Sequence, residues 1–107
     1  MQPVARRKQI VHASVLIGQV KLGRLDGAVS IYKKSILPTM KEQTGFKGTL
    51  LLGNPDTHQF IAISIWETRV DMLSGEASAY LQAQLHKIKP FLVRPLANTH
   101  YVVSVQD

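Results

Sequence analysis

The sequence contains no cysteine among its 107 residues. The chain therefore has no disulfide, no thiolate metal site and no cysteine nucleophile. A lack of cysteine is also typical of proteins from a reducing compartment, so we expect a cytoplasmic protein. No apolar run approaches the ~20 residues that a membrane-spanning helix needs. We therefore expect no association with a membrane.

Several motifs of known chemistry are also missing. The four histidines are scattered, with no i, i+4 pair and no carboxylate at ligand spacing, so we expect no metal site. There is no glycine-rich phosphate loop and no serine nucleophile motif. Aromatic residues make up 7% of the chain and include one tryptophan, Trp66. With so few aromatics and no recognised nucleic-acid fold signature, we expect no nucleic-acid partner.

Acidic residues are scarce in the first half of the chain. The first 47 residues carry nine lysine and arginine side chains against two acidic ones, whereas the remaining residues carry four against five. A basic half attracts phosphates and other anions, so a protein that binds anions or nucleic acid is a further hypothesis. The plainer interpretation is a solvated helix face together with a basic N-terminal arm at residues 1–9.

The 107-residue chain is 45% hydrophobic, and residues 10–107 are predicted to form a single domain. Apolar and β-branched runs predict four strands, at residues 10–20, 46–53, 59–67 and 100–106. Two helical patterns separate them. The order is β-α-β-β-α-β. Short connections and right-handed crossovers favour the ferredoxin-like arrangement, an α+β fold with a four-stranded antiparallel sheet and both helices on one face.

The two helices carry their own boundary signals. The first is predicted over residues 25–43, with a kink at Pro38 because proline removes a backbone hydrogen bond. Gly45 is suited to the left-handed conformation that ends a helix. The second begins after Thr68, with Asp71 three residues later in a variant of the capping box. Its apolar stripe runs on to Ile88, and the adjacent serine and glycine at 74–75 are expected to break its first turns.

Alternate residues of a strand share a face, and the two faces of this sheet differ. One is almost wholly aliphatic: Val11, Ala13, Val15, Ile17, Leu50, Leu52, Ile61, Ile63, Ile65, Tyr101, Val103 and Val105. The other is small and more polar: His12, Ser14, Leu16, Gly18, Thr49, Leu51, Gly53, Phe60, Ala62, Ser64, Trp66, His100, Val102 and Ser104. Two helices cover one face only, and an uncovered aliphatic face usually marks an interface, so we expect a homodimer.

The small face leaves room for a ligand pocket, although tight packing beneath bulky helix residues would remove it.

In an antiparallel sheet the start of the first strand lies beside the end of the third, so His12 and Trp66 are expected to be neighbours. His12 is the candidate proton acceptor for a phenol, and Trp66 the candidate stacking surface for a flat ring. The alternatives without a function are that His12 lies at a frayed strand edge and that the Trp66 ring is part of the core. Candidate substrate-binding residues are Ser14, Thr49, Ser64, Met72, Tyr80, His100 and Ser104, with His100 expected at the opposite end of the face from His12.

Two stretches resemble a known family. L-P-T-M-K-E-Q-T-G-F leads from the first helix to the second strand, and I-S-I-W-E-T leads from the third strand to the second helix. With the βαββαβ order, they resemble the antibiotic biosynthesis monooxygenase type of dimeric α+β barrel over residues 10–106. The resemblance implies that two protomers pair their sheets into a barrel, with the aliphatic faces in the seam. It also implies a pocket between sheet and helices in each protomer.

Members of this family include cofactor-free oxygenases of polyketide phenols, quinol oxygenases, haem-degrading enzymes and proteins without known activity. In the polyketide oxygenases the strand tryptophan works with an asparagine four residues before it and a tyrosine six after it. Here those positions hold Ala62 and Met72. The haem-degrading members use a first-strand asparagine, absent here, and a second-helix histidine, for which only His86 is available.

The resemblance thus implies a monooxygenase-like protein that oxidises a small aromatic or quinol-type substrate without a bound cofactor, with haem left open as a ligand. The alternative is a barrel that binds a small ligand and catalyses nothing. The two missing partners of Trp66 favour that alternative.

Overall fold

The computed structural model describes residues 10–107, so the predicted arm at residues 1–9 lies outside the described part of the chain. The strands are β1 His12–Gln19, β2 Phe46–Asn54, β3 Gln59–Trp66 and β4 Ala97–Val102. The helices are α1 Leu25–Ile31, α2 Leu37–Lys41, α3 Arg69–Ala77 and α4 Ala79–Leu85. The four strands pair antiparallel in the order β2-β3-β1-β4. This confirms the predicted ferredoxin-like α+β fold.

The first helical region runs without interruption from α1 through a π-helical segment, Tyr32–Ile36, into α2. The predicted irregularity at Pro38 is therefore a widened turn just before the proline. Proline has no N–H to donate, and its ring crowds the preceding turn, which a π-type turn relieves. The helix ends at Lys41, two residues earlier than predicted, and Gly45 follows with a φ of 78° in the left-handed region.

The second helical region starts as predicted but is interrupted at a different place. The Asp71 amide donates to the Thr68 hydroxyl at 3.0 Å, which confirms the cap. The break expected at residues 74–75 is wrong, because α3 continues through both. The chain leaves helical geometry at Ser78 instead, where ψ is 124° and the serine side chain caps α4 by accepting from the Leu81 amide. A 3-10 helix, His86–Phe91, follows α4.

The last strand begins three residues before its predicted start and ends at Val102, so Ser104 lies beyond it. Its sequence, A-N-T-H-Y-V, begins with residues of low β propensity and does not by itself predict a strand. These residues form a strand because they pair with the exposed backbone of β1, and tertiary context outweighs propensity at a sheet edge. In the resulting register His100 faces Ser14 and Val102 faces His12. His100 is thus close to the His12 end of the face, and its expected position at the opposite end is wrong.

The helices cover the small face of the sheet, a choice that the periodicity of the strands does not predict. Phe60, Ala62 and Trp66 are buried on that side. On the aliphatic face Leu50 is 62% exposed and Tyr101 is 56% exposed. Among residues 10–107, no helix is long and apolar enough to cross a membrane.

Candidate functional site

A cavity of about 650 Å³ separates the small face of the sheet from the helices. This volume is typical of small-molecule sites, which range over about 300–1,000 Å³. Tight packing of the small face, the alternative without a cavity, is therefore wrong. The lining residues are Ser14, Leu16, Tyr32, Ile36, Met40, Ala62, Ser64, Trp66, Glu76, Gln82, Leu85, His86, Lys89, Leu92, Arg94, Pro95, Leu96 and Asn98.

Trp66 forms a fixed wall of the cavity and a part of the core at the same time. Its side chain is 1% exposed, and its Nε1 donates to the Ser64 hydroxyl at 2.9 Å. The ring of Phe46 meets it edge-on, with ring centres 5.5 Å apart. Gly75 of α3 lies against the ring, leaving no room for a side chain there. A ring held on three sides is a rigid part of the wall, and at 1% exposure it meets the cavity with only a small part of its surface.

Three polar side chains from two strands meet at the carboxylate of Glu76 on α3. We call Ser14, Glu76, Asn98 and His100 the Glu76 cluster. The Ser14 hydroxyl and the Asn98 amide both donate to Oε2 of Glu76, the latter at 3.2 Å. Nε2 of His100 lies 2.8 Å from Oε1 and 3.0 Å from Oε2. Strand β1 supplies Ser14, strand β4 supplies Asn98 and His100, and helix α3 supplies Glu76.

The Glu76 cluster is suited to moving a proton at the edge of an apolar cavity. Glu76 is the one acidic residue among those that line the cavity. A carboxylate that contacts a histidine forms an acid–base pair, since imidazole changes its charge near neutral pH. Ser14 is 4% exposed, so at least one hydrogen bond to the carboxylate is shielded from water. The arrangement is able to take a proton from a ligand hydroxyl group.

Tyr32 also lines the cavity, but its hydroxyl group is engaged elsewhere. Burial raises the pKa of Tyr32 above its ordinary value, and the hydrogen bond with Thr49 partly lowers it. The two hydroxyl oxygens lie 2.7 Å apart, and the Thr49 hydroxyl donates to the Ile63 carbonyl at 2.7 Å. Tyr32 therefore stays a neutral phenol at physiological pH and ties the first helical region to the sheet.

The structure brings together some of the residues predicted from sequence. Ser14, Ser64 and Trp66 line the cavity. His12 stands opposite Trp66 in the β1–β3 register, as expected, but it is half-buried and is not among the lining residues. His100 reaches the site through Glu76. The roles assigned to these residues remain predictions.

The other predicted residues lie away from the cavity lining. Thr49 and Met72 are behind its walls, in contact with Tyr32 and in the buried core respectively. Tyr80 is one of the predicted substrate-binding residues, but its side chain is 62% exposed and does not line the cavity. The break at Ser78 shifts the phase of α4 and turns this position outward. Ser104 is exposed beyond the end of β4.

Sequence reasoning missed Glu76 and Asn98. A signal for Glu76 was present, because it follows Met72 by four residues and therefore lies on the inward face of α3. A glutamate on such a face needs polar partners. Asn98 lies before the predicted start of the last strand, so it is absent from both predicted faces of the sheet. Over residues 10–107, no group of three or more side chains is arranged to hold a metal ion.

No protein-family model matches the chain, and no curated protein matches it. Solved structures do. A candidate antibiotic biosynthesis monooxygenase from Bordetella bronchiseptica is 18% identical, with a TM-score of 0.76, over 87% of this chain and 96% of that one. A second, from Nitrosomonas europaea, is 13% identical, with a TM-score of 0.73, over 88% and 90% of the two chains.

A third similar structure is SnoaB, a cofactor-independent oxygenase from Streptomyces nogalater. It is 15% identical, with a TM-score of 0.70, over 91% of this chain and 94% of that one. At such identities the likeness concerns the fold. The chain thus has the fold of the antibiotic biosynthesis monooxygenase type of protein, as the resemblance of its sequence implied.

Proposed function

We propose that this protein is a monooxygenase-like enzyme that oxidises a small phenol or quinol without a bound cofactor. The observation that carries the proposal is the Glu76 cluster, which places a proton acceptor at the edge of an apolar cavity walled by Trp66. The similarity in fold to a cofactor-independent oxygenase supports it. We also propose a cytoplasmic location, supported by the absence of cysteine.

The proposed reaction is the oxidation of a phenol to a quinone. The phenolic proton passes to the Glu76 carboxylate, and the resulting phenolate is electron-rich enough to donate electrons to O₂. One oxygen atom enters a ring carbon, and the other leaves as water with the two hydrogens that the substrate loses. Stacking of Trp66 on the ring requires the side chains that cover it to move, because Trp66 is 1% exposed. The buried Ser14 shields one side of the Glu76 carboxylate from water. The earlier prediction that His12 accepts the proton remains the alternative assignment.

A non-catalytic ligand-binding protein is the second candidate function. The specific observation in its favour is the pair Ala62 and Met72, which stand where the resemblance calls for an asparagine and a tyrosine. Neither side chain donates or accepts a proton. Such a protein would use the cavity for binding alone.

The two functions separate in one experiment. The protein is titrated with a panel of phenols, quinols, flavins and haem while Trp66 fluorescence and oxygen consumption are recorded together. Saturable quenching with enzyme-dependent oxygen consumption supports the oxygenase and names its substrate class. Saturable quenching without oxygen consumption supports the binding protein. If haem is the one compound that quenches the fluorescence, the cavity binds haem, and the proposed phenol or quinol substrate is wrong.

We further propose that two copies pair their sheets through the aliphatic face. The face presents exposed apolar side chains, among them Leu50 and Tyr101, that helices of the same protomer leave uncovered. Apolar patches of this kind on a soluble domain usually mark an interface. Pairing would bury them and complete the barrel that the sequence resemblance implies.

The dimer predicts a definite response to a charge on this face. We expect the parent protein to have twice the protomer mass of 11.9 kDa in solution, and Leu50→Asp to have the protomer mass. An unpaired charge buried at an interface costs about 3–5 kcal/mol. Light scattering coupled to size exclusion measures the mass. Val70→Asp, at a 71%-exposed position on α3, is the matched control and should stay dimeric. A monomeric parent at micromolar concentration would refute the pairing.

A further inference from the structure

The lining of the cavity combines the Glu76 carboxylate with cations, and we call the part that carries the cations the mouth. Two exposed cationic residues, Lys89 and Arg94, are part of the lining. The ion pair that the structure shows among residues 10–107 joins His100 to Glu76, so neither cation is matched by a described carboxylate. We propose that the ligand of this cavity is an aromatic acid, whose carboxylate is bound at the mouth by Lys89 and Arg94.

The backbone that carries the two cations is fastened to the sheet. The Lys21 amide donates to the Phe91 carbonyl at 2.8 Å, and the Val93 amide donates to the Gln19 carbonyl at 2.8 Å. The two bonds join the end of the 3-10 helix and the residues after it to the end of β1 and the turn that follows β1. Prolines at positions 90 and 95 restrict the same segment further. The mouth therefore has a defined shape, and its two cations start from fixed points.

The charges at the two ends of the cavity would orient such a ligand. A carboxylate placed beside the Glu76 cluster would meet a like charge, whereas at the mouth it meets two cations beside apolar walls. Arginine binds a carboxylate through two parallel hydrogen bonds, which adds direction to the attraction. With the acid at the mouth, a hydroxyl group on the far side of the ring points toward the Glu76 cluster. The inference rests on the proposed function only in requiring that the cavity take an aromatic ligand.

Two probes that differ by one group test the inference. These are 2-naphthol and 6-hydroxy-2-naphthoate, which share a ring system and a hydroxyl group and differ by the carboxylate. We expect the acid to bind about tenfold more tightly at low salt, because an ion pair at a partly shielded site is worth about one power of ten in Kd. The gap should shrink as salt is added. Isothermal titration calorimetry measures both Kd values.

Substitutions at the mouth test whether its two cations cause the difference in affinity between the two probes. In Lys89→Gln/Arg94→Gln, the preference for the acid should disappear while the Kd of 2-naphthol stays at the parent value, which also shows that the cavity is intact. The matched control is Lys87→Gln, an exposed cation in the same 3-10 helix that is not part of the lining, and it should keep the preference. The single variant Lys89→Gln should lose part of the preference for the acid.

Each outcome decides the proposal. Equal affinity of the parent for the two probes overturns it, as does a double variant that keeps the preference. Binding of neither probe overturns it together with the idea of an aromatic ligand. A preference for the acid that depends on the two cations, without any oxygen consumption, supports this inference and counts against the proposed oxidation.

Discussion

Replacing Glu76 with glutamine is expected to lower the rate of oxygen consumption by about 10²–10⁴-fold, the usual contribution of a positioned general base. Glutamine has the same shape and still accepts hydrogen bonds from Ser14 and Asn98, so the cavity should keep its form. It holds no negative charge and takes no proton from a phenol. The rate is measured with an oxygen electrode at a saturating concentration of the substrate that the panel identifies.

Two controls separate a proton acceptor from a merely structural carboxylate. Glu67→Gln, at an exposed position after β3, should turn over at the parent rate. Glu76→Gln should bind the substrate with a Kd close to that of the parent, so that the loss falls on the rate. If Glu76→Gln retains full turnover and His12→Ala loses it, the proton goes to His12, and the assignment to Glu76 is wrong.

A large effect on stability is expected at Gly75, where glycine should be better than alanine in the middle of a helix. Alanine normally stabilises a helix over glycine by about 1 kcal/mol. Here a β-carbon would lie 2.5 Å from Cη2 of Trp66 and 2.8 Å from its Cζ3. The hydrogen bond to Ser64 and the contact with Phe46 hold the ring in place. We expect Gly75→Ala to lower the free energy of unfolding by about 1–3 kcal/mol, the usual cost of overpacking.

Urea unfolding measures this effect, and neighbouring positions supply the controls. Ser74→Ala, one residue away at an exposed position of the same helix, should leave the free energy of unfolding within about 0.5 kcal/mol. In a Trp66→Phe background the smaller ring makes room, so Gly75→Ala should cost less there than in the parent. A Gly75→Ala variant as stable as the parent would show that the ring moves aside, and Trp66 would not be the rigid wall described above.

The sequence by itself determined the features that depend on neighbouring residues. Alternation along the strands separated an aliphatic face from a small one, and the order of elements with short connections selected the ferredoxin-like sheet. The cap at Thr68 and the left-handed Gly45 followed from local backbone requirements. The pairing of His12 with Trp66 followed as well, because antiparallel geometry brings the start of one strand to the end of its partner.

Only the tertiary structure decided which face the helices cover and which polar groups share the cavity. Periodicity marks a face as apolar or small but carries no information about the layer that covers it. Glu76 lies more than 60 positions from Ser14 along the chain, and Asn98 lies 84 positions from Ser14, so their meeting depends on how α3 crosses the sheet and where β4 begins. Gly75 shows the same dependence. Read locally it breaks a helix, whereas in the folded chain it makes room for Trp66, because packing between distant segments outweighs local propensity.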